Sequence, residues 1–267
     1  MEGVQFFNLS KNNFVGNIPS SLGNLTNLLE LYLGDNNLQG SIPSSLSQCQ
    51  NLITFHFPLN NLSSIISSQV IGLSFSPNSL DLSSTQFIGV LPMEIGNLKN
   101  LEHLDISENL LFGEIPATLK SCVKLEFLAM RRNFFQGDVP SSLESLRGLA
   151  HFELSDNNFS GKIQKILETF DFLQLLNLSY NHFDGEVPTN GVFKNASAIL
   201  LKGNDELCEG IPKFQLPKCK NKKFENKKLT LTLKLIIISI LFGLIGANLV
   251  LSFKFLCSLG EKRKENT

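Results

Sequence analysis

Residue types able to do chemistry are few in this chain, and most stand apart. The four histidines, His56, His103, His151 and His182, form no cluster with cysteine at zinc-ligand spacing, so no metal site is expected. No Gly-x4-Gly-Lys-Ser/Thr loop is present to cradle a phosphate. Val-Ala-Ile-Lys, His-Arg-Asp and Asp-Phe-Gly are missing too, so neither a catalytic residue nor a cofactor is expected. What does recur is a set of charged and aromatic residues in three groups. These are Glu102, His103, Asp105 and Glu108; then Phe127, Arg131 and Arg132; then His151, Glu153 and Asp156. Mixed charge beside an exposed aromatic suits non-covalent recognition of an extended peptide, with Phe127, Arg131 and Arg132 as anchors. The competing reading is a solvated face with no ligand. Either way, the groups share a surface only if the chain returns to the same place at a fixed period.

It does. The asparagine of Leu9-Ser10-Lys11-Asn12 marks a phase held in turn by Asn36, Asn60, Thr85, Asn109, Asn133, Asn157 and Asn181, at spacings of 24, 24, 25, 24, 24, 24 and 24 residues. Three residues before each marker is an apolar side chain, from Leu9 to Leu178, and two after it another, from Phe14 to Phe183. Gly16-Asn17-Ile18-Pro19 recurs as Gly40-Ser41-Ile42-Pro43, Gly113-Glu114-Ile115-Pro116 and Gly185-Glu186-Val187-Pro188. The unit LxxLxLxxNxLxGxIPxxLxxL thus fills residues 2–188 with eight copies.

Alternation of apolar and polar residues in LxLxx predicts a strand with one buried face. One coil of this size cannot bury its own leucines, so coils must stack and share a spine. The marker amide, turned inward, would satisfy buried backbone groups of its own and the neighbouring coil. Gly-x-Ile-Pro supplies a permissive backbone, an inward apolar residue and a fixed φ. The expected fold is a leucine-rich repeat solenoid, a curved right-handed superhelix of α/β type with a parallel β-sheet on its concave face. The three groups above then line coils five to seven side by side. The histidines all fall at polar phases and are expected at the surface.

The unit resembles the plant-specific leucine-rich repeat of receptor-like kinases and receptor-like proteins. Gly191-Val192-Phe193-Lys194-Asn195-Ala196-Ser197 resembles the cap lead-in of the immune-receptor subfamily that includes receptors for flagellin and elongation factor. Where that subfamily has Cys-Gly-Gly, this chain has Cys208-Glu209-Gly210. Other departures lie within the repeats. Ser64 and Ser67 replace the Gly and Pro of the third copy, residues 63–79 are irregular, Thr85 replaces the marker Asn, and Gln164 replaces a Pro. Drift in loops is one account of them; a gene copy released from strict selection is the other.

Cys49 and Cys122 share an inward phase three coils apart. At roughly 4.8 Å per strand their backbones are about 14 Å apart, beyond the roughly 7 Å reach of a disulfide. Buried free thiols are expected there. Cys208 and Cys219 follow the last copy and are expected to close a capping disulfide loop over the end of the spine. Glycosylation sequons occur at Asn8, Asn24, Asn61, Asn158, Asn177 and Asn195, all before the apolar segment described next. They fit luminal synthesis, and an Asn- and Ser-rich repeat also makes sequons by accident.

Residues 235–253 carry no charge, and as a helix of about 1.5 Å per residue would span roughly 28 Å of hydrocarbon. The expected organisation is repeats over 1–188, a disulfide cap over 189–220, a basic stalk over 221–234, a transmembrane helix over 235–256 and a short cytoplasmic tail over 257–267. Basic residues flank the helix on both sides, so the positive-inside rule does not orient it. The cap disulfide and sequons put the repeats outside. Ser239, Gly243 and Ala247 fall four apart, a spacing that suits helix packing and is also common by chance. Cys257 is a palmitoylation candidate.

The near-neutral net charge of −1 gives no reason to expect nucleic acid as a partner. The resemblance implies a single-pass plasma-membrane protein whose extracellular repeats recognise a peptide or protein ligand in plant defence or developmental signalling. It also implies a co-receptor kinase with a short leucine-rich repeat ectodomain as a partner. In relatives a cytoplasmic Ser/Thr kinase sends the signal. Met1 opens inside a repeat without a signal peptide or cap, so the chain is expected to be a piece of such a receptor. The alternatives are a receptor-like protein without kinase, against which the basic stalk argues, and a non-functional truncated copy.

Overall fold

A computed structural model describes residues 3–71 and 77–219 of the protein. Among them nine short strands form one parallel sheet: Phe6–Asn8, Glu30–Tyr32, Thr54–His56, Ser79–Asp81, His103–Asp105, Phe127–Ala129, His151–Glu153, Leu175–Asn177 and Ile199–Leu200. Their register advances by whole repeats, so Phe127 lies between His103 and His151, and Ala129 between Asp105 and Glu153. The middle residue of each full strand from Leu31 to Leu176 points inward and is wholly or almost wholly buried. These side chains, with the leucines of the following turns, make the single spine that a 24-residue coil cannot make alone.

After each strand the chain turns, forms a second strand, and returns through a one-turn 3-10 helix. The outer strands fall into a six-stranded sheet, from Ile88–Val90 to Glu206–Cys208, and a three-stranded one of Val15–Asn17, Asn37–Gly40 and Asn61–Leu62. Each regular helix follows an extended proline, such as Pro116 at φ −64° or Pro140 at φ −65°. Gln164 holds the same place at φ −69°, so the coil geometry does not depend on the proline ring.

The marker asparagines are buried and knit adjacent coils. Asn133 Nδ2 donates to Ile106 O (2.9 Å), Met130 O (3.2 Å) and Arg131 O (3.3 Å), while its Oδ1 accepts from Leu111 N–H (3.0 Å). Asn36, Asn60, Asn109, Asn157 and Asn181 repeat the pattern. One side chain thereby bonds four backbone groups, adding to the bonds that Ile106 O, Met130 O and Arg131 O also accept from Asn109, Asn157 and Glu108. Asn12 differs: it is exposed, and its side-chain Nδ2 bonds Leu9 O and Ser10 O of its own coil.

The coil pattern continues beyond residue 188. Ile199–Leu200 adds a ninth inner strand, Glu206–Cys208 extends the outer sheet, and Asn204 takes the ladder position by bonding Leu178 O and Leu201 O and accepting from Phe183 N–H. The cap is therefore a shortened coil. Cys208 and Cys219 are joined by a disulfide, with Cα atoms 4.9 Å apart. In the third coil the outer sheet breaks between Asn61–Leu62 and Ile88–Val90, where an isolated bridge from Ile65 to Ile88 and hydrogen bonds from Gln86 N–H to Leu62 O and Ile88 N–H to Ser64 O cross the gap. A short α-helix, Ser68–Ile71, stands in place of the 3-10 turn.

Among the described residues no helix is long and apolar enough to cross a membrane. The expected stalk, transmembrane helix 235–256 and tail, with Cys257, lie outside the described residues.

Candidate ligand-binding site on the concave face

The third position of each inner strand faces the concavity: Tyr32, His56, Asp81, Asp105, Ala129, Glu153 and Asn177 in register. Six of these side chains are large or polar, and Ala129 is neither. Between Asp105 and Glu153 its methyl leaves an open recess of about 540 Å³. Asp105, Phe127, Arg131, Arg132, Glu153 and Asp156 line it, together with Ser155, Asn177, Ser179 and Tyr180. Six of the ten residues anticipated from sequence therefore meet in one cavity.

The arginines are positioned by coil geometry. Arg131 stands where coils five and seven have Ser107 and Ser155, and Arg132 where they have Glu108 and Asp156. Glu108, Arg132 and Asp156 share left-handed backbone at φ 56°, 53° and 55°, as do their equivalents from Lys11 to Tyr180. That conformation belongs to the repeat, not to the site. Glu108 Oε1 accepts from Arg131 Nη2 at 3.1 Å and Arg132 Nη1 at 3.3 Å, and its Oε2 from Ser84 Oγ at 3.1 Å. One carboxylate oxygen thus aligns two guanidiniums, whose remaining donors suit a ligand carboxylate or carbonyl. Glu108 supports the recess from outside it. Exposed pairs of this kind add little stability, so their value is orientation.

Phe127 was expected as an exposed aromatic and is half-buried. Its ring stacks on His103 at 4.2 Å between centroids and 8° between planes, and leans on His151 at 5.7 Å. Sequence reasoning had set the histidines at the surface. Only His182 is exposed, while His56, His103 and His151 are half-buried on the inner sheet. The reason is lateral: strands one register apart bring ring against ring. His56 Nδ1 lies 3.2 Å from Asp81 Oδ2. Burial lowers the His103 pKa below its usual value, with Asp81 and Asp105 opposing the shift and His56 adding to it. Burial also raises the Asp105 carboxyl, against hydrogen bonds from Ser107. Glu102 is exposed just before its strand and does not line the recess.

Ala129, Asn177 and Tyr180 were missed. Tyr180 was legible, since it follows Glu108, Arg132 and Asp156 at the same phase. Ala129 carries no chemistry, and its role is the space it leaves. Among the sequons Asn8, Asn24, Asn61, Asn158 and Asn195 are exposed; Asn177 is half-buried, and its Oδ1 accepts from Ser179 N–H and Oγ–H. Cys49 and Cys122 are free and buried. Cys122 Sγ lies 3.3 Å from Ile95 O, and burial pushes its thiol up to about 11. No group of acidic, histidine or cysteine side chains able to hold a metal occurs among the described residues.

The Leucine Rich Repeat family model matches residues 3–25, 27–49, 100–122 and 172–191. The chain carries leucine-rich repeats. Its solenoid superposes on the ectodomain of the plant membrane receptor kinase GASSHO1/SCHENGEN3 from Arabidopsis thaliana, solved in complex with CASPARIAN STRIP INTEGRITY FACTOR 2, with a TM-score of 0.73 and 33% identity over 80% of this chain and 25% of that one. PEPR1 in its structure with AtPEP1 gives 0.62 and 32%, over 74% and 31% of the two chains. The Arabidopsis receptor kinase HAESA, with the peptide hormone IDA and the co-receptor SERK1, gives 0.57 and 28%, over 77% and 42%. A plant ice-binding protein shares the fold at 22% identity and a TM-score of 0.62. The three neighbours before it are plant leucine-rich repeat receptor-kinase ectodomains, a non-catalytic fold. This chain spans only about a quarter to two-fifths of their length. No curated protein matches significantly.

Proposed function

We propose that the repeats form the ligand-recognition part of a plant cell-surface receptor and bind an extended peptide or a protein segment along the concave face of coils five to eight. The observation that carries this reading is the recess over Ala129, where two aligned arginines face Asp105, Glu153, Asp156 and Tyr180 across open space. Such a surface discriminates by charge order along a strand-like ligand, with Phe127 and Tyr180 as apolar contacts. Neighbouring ectodomains in complexes with peptides, and in one case a co-receptor kinase, support the class of partner. The reading further places the repeats outside the plasma membrane, with residues 235–256 as a single-pass anchor, the sequons as glycan sites, and signalling in defence or development.

The test is selection from a random peptide library on the full chain, followed by titration of enriched peptides against Arg132→Ala and Ala129→Leu. Loss of about tenfold or more in affinity with either variant is expected, since truncating an anchor or filling its pocket costs about 1.4 kcal/mol or more. Peptides that bind both variants as well as the parent would remove the recess from the account.

A further inference from the structure

The outward side chains of the outer sheet carry no packing duty in a solenoid, so their chemistry is free to report what lies outside. Three such columns can be followed around the coils. The residue after the turn glycine position reads Asn17, Ser41, Ile65, Val90, Glu114, Asp138, Lys162 and Glu186. The residue after the ladder position reads Asn13, Asn37, Asn61, Gln86, Leu110, Phe134, Asn158 and His182. Two further on, the column reads Val15, Gln39, Ser63, Ile88, Phe112, Gln136, Ser160 and Asp184. Apart from Val15, every apolar residue in these columns falls in coils three to six.

The register brings them together. Leu110 pairs with Ile88, Phe112 with both Val90 and Phe134, and Ile65 bridges to Ile88. All six are 45–62% exposed. Glycines keep the band level. A Cβ at Gly113 would come within 2.9 Å of Val90 Cγ1, and one at Gly89 within 3.1 Å of Ile65 Cγ2, so these side chains lie flat over the neighbouring backbone. Six half-exposed side chains of this size present on the order of 600 Å² of contiguous apolar surface, the upper end of what a lone soluble domain carries.

We propose that this band is the contact between two copies of the chain, sheet face against sheet face. A patch of this size on each copy buries about 1,200 Å² in total before the rim is counted, the lower limit of a stable specific interface. No charge lies within the band, so identical surfaces meet without repulsion. Along the sheet its flanks are Gln39, Asn61 and Gln86 on one side and Gln136, Asn158 and Ser160 on the other. Amides and hydroxyls both donate and accept, so such a rim pairs with its own copy, as a two-fold contact requires. Glu114 and Asp138 bound a third side. Residues 62–157 contain no sequon, so the band itself carries no glycan; Asn61 and Asn158 at its flanks are sequons, and the contact requires those two to be free of glycan. This contact faces away from the concave recess and stands or falls independently of it.

The test is thiol cross-linking of the full chain made in a secretory host with Asn61→Gln and Asn158→Gln, which keep the rim amides and remove both sequons. Phe112→Cys and Leu110→Cys should give a species of twice the chain mass on non-reducing gels. His182→Cys, on the same sheet but beyond the band and its rim, should match the parent chain, which controls for Cys257. Adding Val90→Lys to Phe112→Cys should cut the dimer yield about tenfold or more, and Ile88→Gln serves the same purpose if the lysine lowers protease resistance. Equal yields at on-band and off-band positions would overturn the proposal. So would cross-links only to a species of different mass, because they would assign the band another occupant.

Discussion

Coils five to eight and the junction of coils three and four are made from the same repeat and are held together differently. At Asn109, Asn133, Asn157 and Asn181 every ladder amide ties three carbonyls and one N–H across two coils. At the junction Thr85 Oγ1 bonds Leu82 O at 3.1 Å and also Asn109 Oδ1, and neither bond reaches back to coil three. There too the turn lacks its glycine and proline, and the outer sheet is interrupted. Yet Phe55, Phe57, Leu62 and Phe87 remain wholly buried across it. The spine therefore sets the fold, and the ladder adds cohesion wherever its asparagine is present. The candidate recess sits in the cohesive half, where a binding surface gains from a rigid base.

Removing one rung is the severest way to break this contrast. Asn133→Ala leaves Leu111 N–H without its acceptor and removes one of two bonds at each of Ile106 O, Met130 O and Arg131 O; it should cost about 2 kcal/mol or more, read from the urea midpoint. Thr85→Ala should cost about 1 kcal/mol. Equal losses would mean that the two regions do not differ in the way described.

The buried thiols sharpen the comparison by position. Cys122 sits against Ile95 O in the cohesive half, and Cys49 holds the same phase near the first coils at 3.7–3.8 Å from its carbonyl partners. Under rising urea, mass spectrometry should find Cys49 alkylated before Cys122. Alkali gives a second reading. Because the folded Cys122 thiol lies at about 11, above its ordinary value of 9.0, its contribution to stability is complete below pH 9 and is lost as pH rises toward 11. Cys122→Ala should flatten that alkaline limb.

A repair should have a smaller effect. Thr85→Asn restores the missing rung and should raise stability by about 1 kcal/mol, with slower amide exchange at the junction. Smaller again is the contribution of His103. Its folded pKa is depressed, so the unfolded chain takes up the proton more readily, and stability falls as pH drops from 6.5 through the lower folded value. NMR titration should put the His103 midpoint below 6.5, and His103→Gln should remove that part of the acid dependence.

What sequence made legible follows the same division. Inward positions answer to one demand, burial with every backbone group satisfied, so period, spine, ladder and turn could be read from residue types alone. Phe135, Asn157 and Ile115 vary at their phases only to residues such as Leu111, Thr85 and Val187 that are buried in the same way. Concave positions answer only to register, which correctly aligned Asp105, Arg131, Arg132 and Glu153 but not the depth of each side chain. Stacking buried Phe127 and His103, and an alanine made the cavity. The ninth coil escaped notice because Leu201-Lys202-Gly203-Asn204 arrives at a 23-residue spacing, among the cap cysteines.

Native-state hydrogen exchange on the full chain tests the central claim most directly, namely that buried amides join stacked coils into one cohesive base beneath the concave face. The N–H groups of Leu111, Phe135 and Phe159, each donating to the next coil's asparagine, should exchange together and slowest, with exchange rising toward Thr85 and coil three. Rapid exchange at all three, no slower than in coil three, would contradict it.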